Sequence, residues 1–284
     1  MKKLLPLLIT TFFISFLTSA HAIAQDVDSL NVMSFNIRFG TANDGDNHWK
    51  HRKEYVFKTI ADYGPDLLGM QEVLPLQVEF LRKKLPEYSY VGRSRQTTPN
   101  GEQCGIMIKS ARFDILEEGH FWLSETPNVP GSKSWDSSLP RMASWVKLFD
   151  RSKAQAIYFV NTHFDHRGQN ARLKSAQVIV DRVQQFEVGI PIVLAGDFNA
   201  SENSAPIKLL RKRLVDTFEK LHPNATNQST SSGFRGKIDG NRIDYVFASE
   251  NWIVDAAAID RRSFNGKYPS DHYPVTCTLK AADK

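Results

Sequence analysis

The sequence is poor in cysteine and nearly balanced in charge, and each shortage excludes a class of protein. Two cysteines in 284 residues are too few for the disulfide framework of a small secreted domain. Cys104 and Cys277 both lie in apolar, strand-like segments, which favours buried free thiols. A disulfide between them is the alternative if the protein is exported to an oxidising compartment. The 36 basic and 31 acidic residues leave a net charge of +5, which offers little for the continuous basic track of a dedicated nucleic-acid binder.

The longest hydrophobic run lies at the N-terminus. Lys2 and Lys3 precede an apolar run over residues 4–17, and two overlapping Ala-x-Ala patterns follow at 20–24. The run is shorter than the roughly 20 residues that span a bilayer. It predicts a signal peptide over residues 1–24 and a secreted or periplasmic protein without a stable membrane anchor. Loss of the two lysines on cleavage would lower the net charge from +5 to +3.

Residues 25–284 have no internal repeat, persistent heptad or Pro- or Gly-rich linker, which predicts a single domain. An apolar stripe from Leu173 to Phe186 and a shorter one from Ile207 to Leu214 indicate helices. Short β-rich runs between such helices predict a layered α/β domain with mixed sheets. The predicted strands are residues 30–35, 66–71, 104–109, 113–123, 142–149, 156–161, 191–195, 243–248, 253–259 and 273–279.

Polar residues that can bind a metal or transfer a proton recur at the ends of these apolar runs. Strand ends in one sheet system can converge on a single edge, where α/β folds place their sites. Asx and histidine residues at strand ends have structural explanations when taken singly, so the prediction depends on the joint pattern. Oxygen ligands with few nitrogens favour Mg²⁺, Mn²⁺ or Ca²⁺ over structural zinc. The residues concerned are Asn36, Glu72, His163, Asp197, Asn199, Asp244, Asp271 and His272.

The order of these motifs resembles the endonuclease/exonuclease/phosphatase superfamily. The resemblance implies a four-layer α/β sandwich with two packed mixed β-sheets flanked by helices, and a metal-dependent phosphoric ester hydrolase. Residues 43–53 and 121–141 are similar to an exported bacterial branch of that superfamily. The motifs that carry the resemblance are SFNIR at 34–38, MQEV at 70–73, NTHFDH at 161–166, GDFN at 196–199, RIDYVF at 242–247 and SDHYPV at 270–275.

The resemblance implies a cation site in which Glu72 is the principal ligand and Asn36 and Asp271 complete or flank it. Mg²⁺ is the expected ion, with Mn²⁺ or Ca²⁺ as alternatives. The apurinic endonucleases of the superfamily carry an acidic residue two positions after the first Asn, where this sequence has Arg38. We therefore assign Arg38 to substrate binding.

The resemblance also implies the groups that act on the substrate. By this resemblance Asp244 would orient His272, and Glu102 would orient His163. Which of the two histidines is the base stays open. Arg141 would bind a substrate phosphate, and His166 would line the pocket. The expected catalytic residues are His163, His272, Asp197, Asn199, Asp244 and Glu102.

Substrate identity stays open at this level. We expect an exported divalent-metal-dependent phosphoesterase, acting as a monomer, that uses water to hydrolyse a phosphodiester or phosphomonoester. Its substrate would be a phosphorylated small molecule, a glycan phosphodiester or a nucleic acid. A secreted nuclease and a sphingomyelinase-like phosphodiesterase are alternatives, although the latter should carry an exposed apolar hairpin. A catalytically silent binding module is the alternative from another class, and it predicts eroded ligands, whereas all the motif residues are present.

Overall fold

The computed structural model describes residues 29–282, so the predicted signal peptide lies outside the described residues. Two six-stranded β-sheets dominate this part of the chain. Its strands are β1 (Ser29–Asn36), β2 (Leu67–Val73), β3 (Tyr88–Val91), β4 (Gln103–Lys109), β5 (Phe113–Trp122), β6 (Met142–Asp150), β7 (Gln155–His163), β8 (Ile192–Asp197), β9 (Val215–Asp216), β10 (Asp244–Ala248), β11 (Trp252–Ile259) and β12 (Val275–Ala281).

Each sheet contains one central parallel pair within otherwise antiparallel neighbours. The first sheet has the order β11-β12-β1-β2-β4-β3, and the second β5-β6-β7-β8-β10-β9. The pairs β1–β2 and β7–β8 are parallel, and the remaining neighbours are antiparallel. Parallel strands present their carboxyl ends at the same edge of a sheet, so both pairs deliver side chains to an edge. The predicted mixed sheets are confirmed.

Helices cover the outer face of each sheet. The predicted stripe at 173–186 belongs mainly to α3 (Gln169–Val183), whereas the helix predicted over 207–214 already ends at Leu210, in α4 (Ala205–Leu210). The helices α1 (Trp49–Tyr63) and α2 (Pro75–Lys84) were not identified from the sequence because charged residues dilute their apolar faces. The α-helices of the described residues are α1 (Trp49–Tyr63), α2 (Pro75–Lys84), α3 (Gln169–Val183), α4 (Ala205–Leu210) and α5 (Thr217–Leu221), and a 3₁₀ turn spans Gly45–Asn47.

Three apolar layers hold the domain together. Alternate side chains of β1 point to opposite faces: Val32 packs between the two sheets, whereas Met33 and Phe35 pack beneath α1 and α2. A corresponding cluster beneath α3 and α4 includes Leu194 of β8. The order is therefore helices, sheet, sheet, helices, and the four-layer α/β sandwich expected from the sequence is confirmed.

A buried amide links the two sheets near the edge where the parallel pairs end. Asn161 of β7 donates from Nδ2 to the carbonyl oxygens of Met70 and Gly105, at 2.8 Å each. Its Oδ1 accepts from Nε2 of Gln71 at 2.7 Å. A Cβ atom added to Gly69 would lie 2.8 Å from that Oδ1, so the close approach requires glycine there. Asn161 thus fixes the spacing between sheets beside the polar edge.

Several details differ from the sequence-based predictions. Strands β3 and β9 were missed because four and two residues are too few to show a pattern. The last strand begins at Val275, two residues later than expected. Cys104 and Cys277 are buried free thiols, so the alternative of a disulfide is wrong. None of the helices within residues 29–282 is long and apolar enough to cross a membrane.

Candidate active site

The predicted functional residues meet at the edge where the parallel strands end. Asn36 and Glu72 lie at the ends of β1 and β2, and His163 pairs with Asp197 at the ends of β7 and β8. Because β10 runs antiparallel to β8, its first residue, Asp244, lies directly opposite Asp197. The segment before β12 adds the last two predicted residues, Asp271 and His272. The two sheets thus contribute to one cluster.

Asp197 stands at the centre of that cluster and is 1% exposed. Its Oδ2 accepts a hydrogen bond from Nδ2 of Asn36 at 3.0 Å. The same oxygen lies 3.5 Å from Nε2 of His163 and 3.9 Å from Nδ1 of His272. Burial and the neighbouring Asp244 carboxylate raise the pKa of Asp197. A carboxylate shared by two imidazoles and an amide is suited to proton transfer.

His272 forms the tighter of the two histidine–carboxylate pairs. Its Nδ1 lies 2.9 Å from Oδ2 of Asp244. Burial disfavours the charged imidazole, but Asp244 and Asp197 outweigh it and raise the pKa of His272 well above its ordinary value. Thr230 fixes this pair, because its Oγ1 accepts from the backbone N–H groups of Ile243 and Asp244. The segment between α5 and β10, to which Thr230 belongs, therefore borders the site.

The pKa of His163 is shifted in the opposite direction. Burial, together with the nearby Arg141 guanidinium, lowers the pKa of His163 to about 3. Asn199 donates from Nδ2 to Nε2 of the neutral ring at 3.1 Å, which leaves the ring proton on Nδ1. That atom faces Oε1 of Glu102 at 3.4 Å. Glu102 therefore lies beside His163, but Nδ1 of His163 has no hydrogen-bond partner among the described residues, unlike Nδ1 of His272.

Arg141 lies buried beside this histidine, 4% exposed. Its Nη2 contacts Nδ1 of His166 at 2.9 Å, and the ring of His166 is itself exposed. The Nη1 and Nε atoms of Arg141 lie 3.8 Å from Glu102 and 3.5 Å from Asp165, and neither has a hydrogen-bond partner among the described residues. Buried unsatisfied donors on a guanidinium favour an anionic ligand.

Glu72 reaches the site through an irregular strand end. The pairing of β2 with β4 shifts register between Met70 and Val73, and Glu72 has a left-handed backbone with φ of 61°. Its Oε1 accepts from Nδ2 of Asn36 at 3.1 Å and its Oε2 from the backbone of Phe39 at 2.8 Å. Non-glycine residues in this conformation cost about 1 to 3 kcal/mol and cluster at functional sites.

A positive charge lies between the carboxylates expected to bind the cation. Nη1 of Arg38 is 3.6 Å from Asp271 and 4.0 Å from Glu72. Asp44 holds the guanidinium with two hydrogen bonds of 2.9 Å, and these bonds outweigh the effect of burial and raise the pKa of Arg38. Since Glu72 and Asp271 already face one cationic group and are 17% and 18% exposed, they fit a partly hydrated hard cation.

A second set of groups could also bind a cation. One ligand atom from each of Asp197, Asp244 and His272 lies within 4.8 Å of the others. A metal there would have to replace the 2.9 Å hydrogen bond between His272 and Asp244. The oxygen-rich, partly exposed position at Glu72 needs no such disruption, so we favour it.

Sequence reasoning missed two buried groups that shape the site. Arg52 donates to the backbone carbonyls of Ile37, Arg38 and Pro269, at 2.5, 3.0 and 3.0 Å, and so joins the segment after β1 to the segment before Asp271. Asp165 accepts from the backbone of Ser138 and Gly168. Asp165 lies within the NTHFDH motif, which was the available signal, whereas Arg52 had none in the charged run HWKHRK.

Comparisons with known proteins agree with this arrangement. A mannosyl-6-phosphatase of Bacteroides thetaiotaomicron VPI-5482 superposes with a TM-score of 0.81 at 30% identity, over 88% of this chain and 99% of that one. Protein angel of Drosophila melanogaster is 28% identical over 71% of this chain and 59% of its own length. Tyrosyl-DNA phosphodiesterase 2 of Danio rerio is 22% identical over 88% and 66%.

The chain thus spans about three fifths to two thirds of the length of these two curated relatives. The family model described as "Endonuclease/Exonuclease/phosphatase family" matches residues 33–272, a range that contains every predicted site residue. The members of this family are hydrolases that act on phosphoester bonds. The chain belongs to the endonuclease/exonuclease/phosphatase family.

Proposed function

We propose that the protein is an exported, divalent-metal-dependent phosphoesterase that uses water to hydrolyse a phosphomonoester or phosphodiester. The observation that carries the proposal is the contact of Asp197 with both His163 and His272, beside the unsatisfied donors of Arg141. A buried proton-transfer cluster next to an anion-binding guanidinium is suited to a phosphate substrate.

Glu72, Asn36 and Asp271 would hold the cation. Mg²⁺ fits this oxygen set, and Mn²⁺ or Ca²⁺ are the alternatives. When bound, such an ion offsets the charge that grows on the phosphoryl oxygens. Support comes from the family, whose enzymes depend on divalent metals, and from the convergence of Glu72 and Asp271 on the Arg38 guanidinium.

The protein's own side chains would bind and activate the reactants. Arg141 would bind phosphoryl oxygens, and the amide of Asn199 would join it by exchanging its hydrogen bond to His163 for one to the phosphate. His272, whose pKa is raised, would donate a proton to the oxygen of the leaving group. Asp197 would accept one proton of the attacking water, while the unprotonated Nε2 of neutral His163 accepts a hydrogen bond from the other O–H of that water. Proton transfer by positioned groups typically contributes about 10² to 10⁴ in rate.

The substrate we favour is a phosphorylated small molecule or glycan phosphodiester. The similarity to a protein named as a mannosyl-6-phosphatase, at 30% identity, supports a sugar phosphate. The +3 charge expected for the exported chain offers less support for a nucleic acid, which requires several phosphate contacts.

The test is a metal-supplemented substrate panel on purified residues 25–284. The panel should compare hexose phosphates, bis(4-nitrophenyl) phosphate, 4-nitrophenyl phosphate, supercoiled DNA, RNA and sphingomyelin. Asp197→Asn, which keeps the side-chain shape, is the matched blank. We expect turnover that chelation abolishes and a divalent cation restores. Activity unaffected by chelation, or no turnover of any phosphoester, would contradict the proposal, and the latter together with no cation binding would favour a silent binding module.

Export has its own test. Fractionation of cells expressing the full chain should place the protein outside the cytoplasm, and N-terminal sequencing of that protein should begin near Gln25. Retention of residues 1–24 on a cytoplasmic protein would contradict this part of the proposal.

A further inference from the structure

A cavity of about 730 Å³ opens beside the proton-transfer cluster. The start of α3, the turn after β8 and the segment before β10 form its walls. Asn199 belongs both to the lining of this cavity and to the cluster, because its Nδ2 donates to Nε2 of His163. Ile243, another lining residue, directly precedes Asp244. A group leaving the phosphorus atom near His163 would have this cavity as a neighbour.

The side chains that line the cavity are rich in amides and hydroxyls with free hydrogen-bonding capacity. Gln169, Asn170, Ser201 and Asn241 line it, and within residues 29–282 none of these four side chains has a hydrogen bond to the protein. They come from different walls, since Gln169 and Asn170 begin α3, whereas Asn241 precedes β10. Exposed donors and acceptors on two sides suit a ligand that carries several hydroxyl groups.

The charged residues of the lining are already engaged. Asp136 accepts from the backbone N–H groups of Asn170 and Ala171 and so caps α3. Arg172 donates to the carbonyl of Asp165 at 3.0 Å. One acid and one base also cancel in formal charge. The residues that line this cavity in the described chain include leucine, isoleucine and proline but no aromatic side chain on which a nucleobase could stack.

We propose that this cavity is the leaving-group subsite and that it takes a neutral, polyhydroxylated group, namely the sugar of a sugar phosphate or glycosyl phosphodiester. The inference rests on the proposed function, because it assigns the substrate class of the same catalytic centre. Asn170 and Asn241 are the residues that would distinguish a sugar from a leaving group without hydroxyls.

The experiment compares two phosphomonoesters that share the phosphate and differ in the leaving group, a hexose 6-phosphate and 4-nitrophenyl phosphate. Asn170→Ala, Asn241→Ala and the double variant remove the free amides from each wall. Asn203→Ala is the matched control, because Asn203 lies in the turn after β8, is exposed and does not line the cavity. For each lost hydrogen bond we expect KM for the hexose phosphate to rise about threefold to tenfold, with KM for nitrophenyl phosphate unchanged.

The outcomes separate the two proposals. In one pair of outcomes the wild type turns over both esters while the variants raise KM for both equally, or raise KM for neither. Either result would overturn the proposed sugar subsite and leave the proposed phosphoesterase function intact. Wild-type turnover of neither ester, nor of any ester in the panel, would overturn the proposed function and the subsite with it. A nucleoside monophosphate as a third substrate, if it showed the lowest KM and the same sensitivity to both variants, would overturn the assignment to a sugar.

Discussion

Nδ1 of His272 lies 2.9 Å from Oδ2 of Asp244, whereas Nδ1 of His163 lies 3.4 Å from Oε1 of Glu102. The shorter contact joins a carboxylate to an imidazole whose pKa is raised. The longer one joins an imidazole whose pKa is lowered to a carboxylate that Arg95 already holds at 2.5 Å. Each pair joins a predicted catalytic histidine to an acidic residue, but the pKa values of the two histidines are shifted in opposite directions. They should therefore respond differently to the loss of a carboxylate.

Asp244→Asn should lower kcat by about 10² to 10⁴, because the amide no longer favours the protonated imidazole or orients the ring. Glu102→Gln, the matched variant of the longer pair, should have a smaller effect on kcat. Steady-state kinetics at saturating metal would measure both, with thermal unfolding as the check on folding. A larger loss in Glu102→Gln than in Asp244→Asn would reverse the roles assigned to the two pairs.

The position of the cation can be distinguished from the competing acidic cluster by two isosteric variants. Glu72→Gln removes the charge of the favoured ligand, and Asp244→Asn removes a charge from the alternative set of Asp197, Asp244 and His272. Titration calorimetry with Mg²⁺ or Mn²⁺ should show binding lost in Glu72→Gln and retained in Asp244→Asn. The opposite result would move the cation to the buried cluster.

Arg38 should weaken cation binding at the position it borders. Its Nη1 atom is 3.6 Å from Asp271 and 4.0 Å from Glu72, and charges about 4 Å apart interact by about 4 kcal/mol at an effective dielectric constant near 20. Part of that energy is screened because the side chain is 31% exposed. We therefore expect Arg38→Ala to increase Mg²⁺ affinity about tenfold in calorimetry.

The same substitution tests the role of Arg38 in substrate binding. If its guanidinium also contacts a phosphoryl oxygen, KM should rise in Arg38→Ala even as the cation binds more tightly. Lys53→Ala in helix α1 is a suitable control. The Lys53 ammonium lies over the ring of Phe80, and within the described residues it forms no ion pair with the carboxylates of the site. Unchanged cation affinity and unchanged KM in Arg38→Ala would show that the residue serves only to order Asp44.

The edge of the sandwich was predictable because each contributing residue follows a local pattern. Glu72 and Asp197 come at the ends of apolar runs. Such runs can be identified from a few neighbouring residues, so the strand ends are visible in the sequence. Arg52 and Asn161 were not predictable in this way. Their partners include main-chain carbonyls as far as 217 and 91 residues away, and a carbonyl has no residue-type signature that a sequence could reveal.

One motif residue proved to have a structural contact that the resemblance did not indicate. Arg242, in the RIDYVF motif, forms a paired contact with Asp216, with Nη1 and Nη2 at 2.7 and 2.9 Å from its two oxygens. The guanidinium lies 5.0 Å from the ring centroid of Phe218 and 4.4 Å from that of Tyr245. Both charged side chains are almost fully buried. The contact anchors β9 beside β10, the strand that begins with Asp244.

Asp216→Asn should lower the free energy of unfolding at pH 7 by about 3 to 5 kcal/mol, because it leaves the Arg242 charge buried without its partner. Burial opposes the charged carboxylate, but the hydrogen bonds from Arg242 and Arg211 outweigh it and lower the pKa of Asp216. A carboxylate with a lowered pKa in the folded state stabilises the protein above its unfolded pKa, about 3.9, and this stabilisation is lost as the pH falls. The difference between wild type and Asp216→Asn should therefore shrink below about pH 4.

Urea unfolding at pH 7 and at several values between about pH 5 and 3 would measure this difference. Asp255→Asn is the matched control, because Asp255 meets Lys280 at 3.2 Å in an exposed pair and such pairs contribute about 0 to 1 kcal/mol. A loss in Asp216→Asn no larger than in this control, or a loss that stays constant down to pH 3, would show that the ion pair does not stabilise the fold. A further outcome is that Asp216→Asn shows the expected loss in the free energy of unfolding and also a lower kcat at saturating metal. In that case β9 and Arg242 position Asp244 as well as stabilising the sheet.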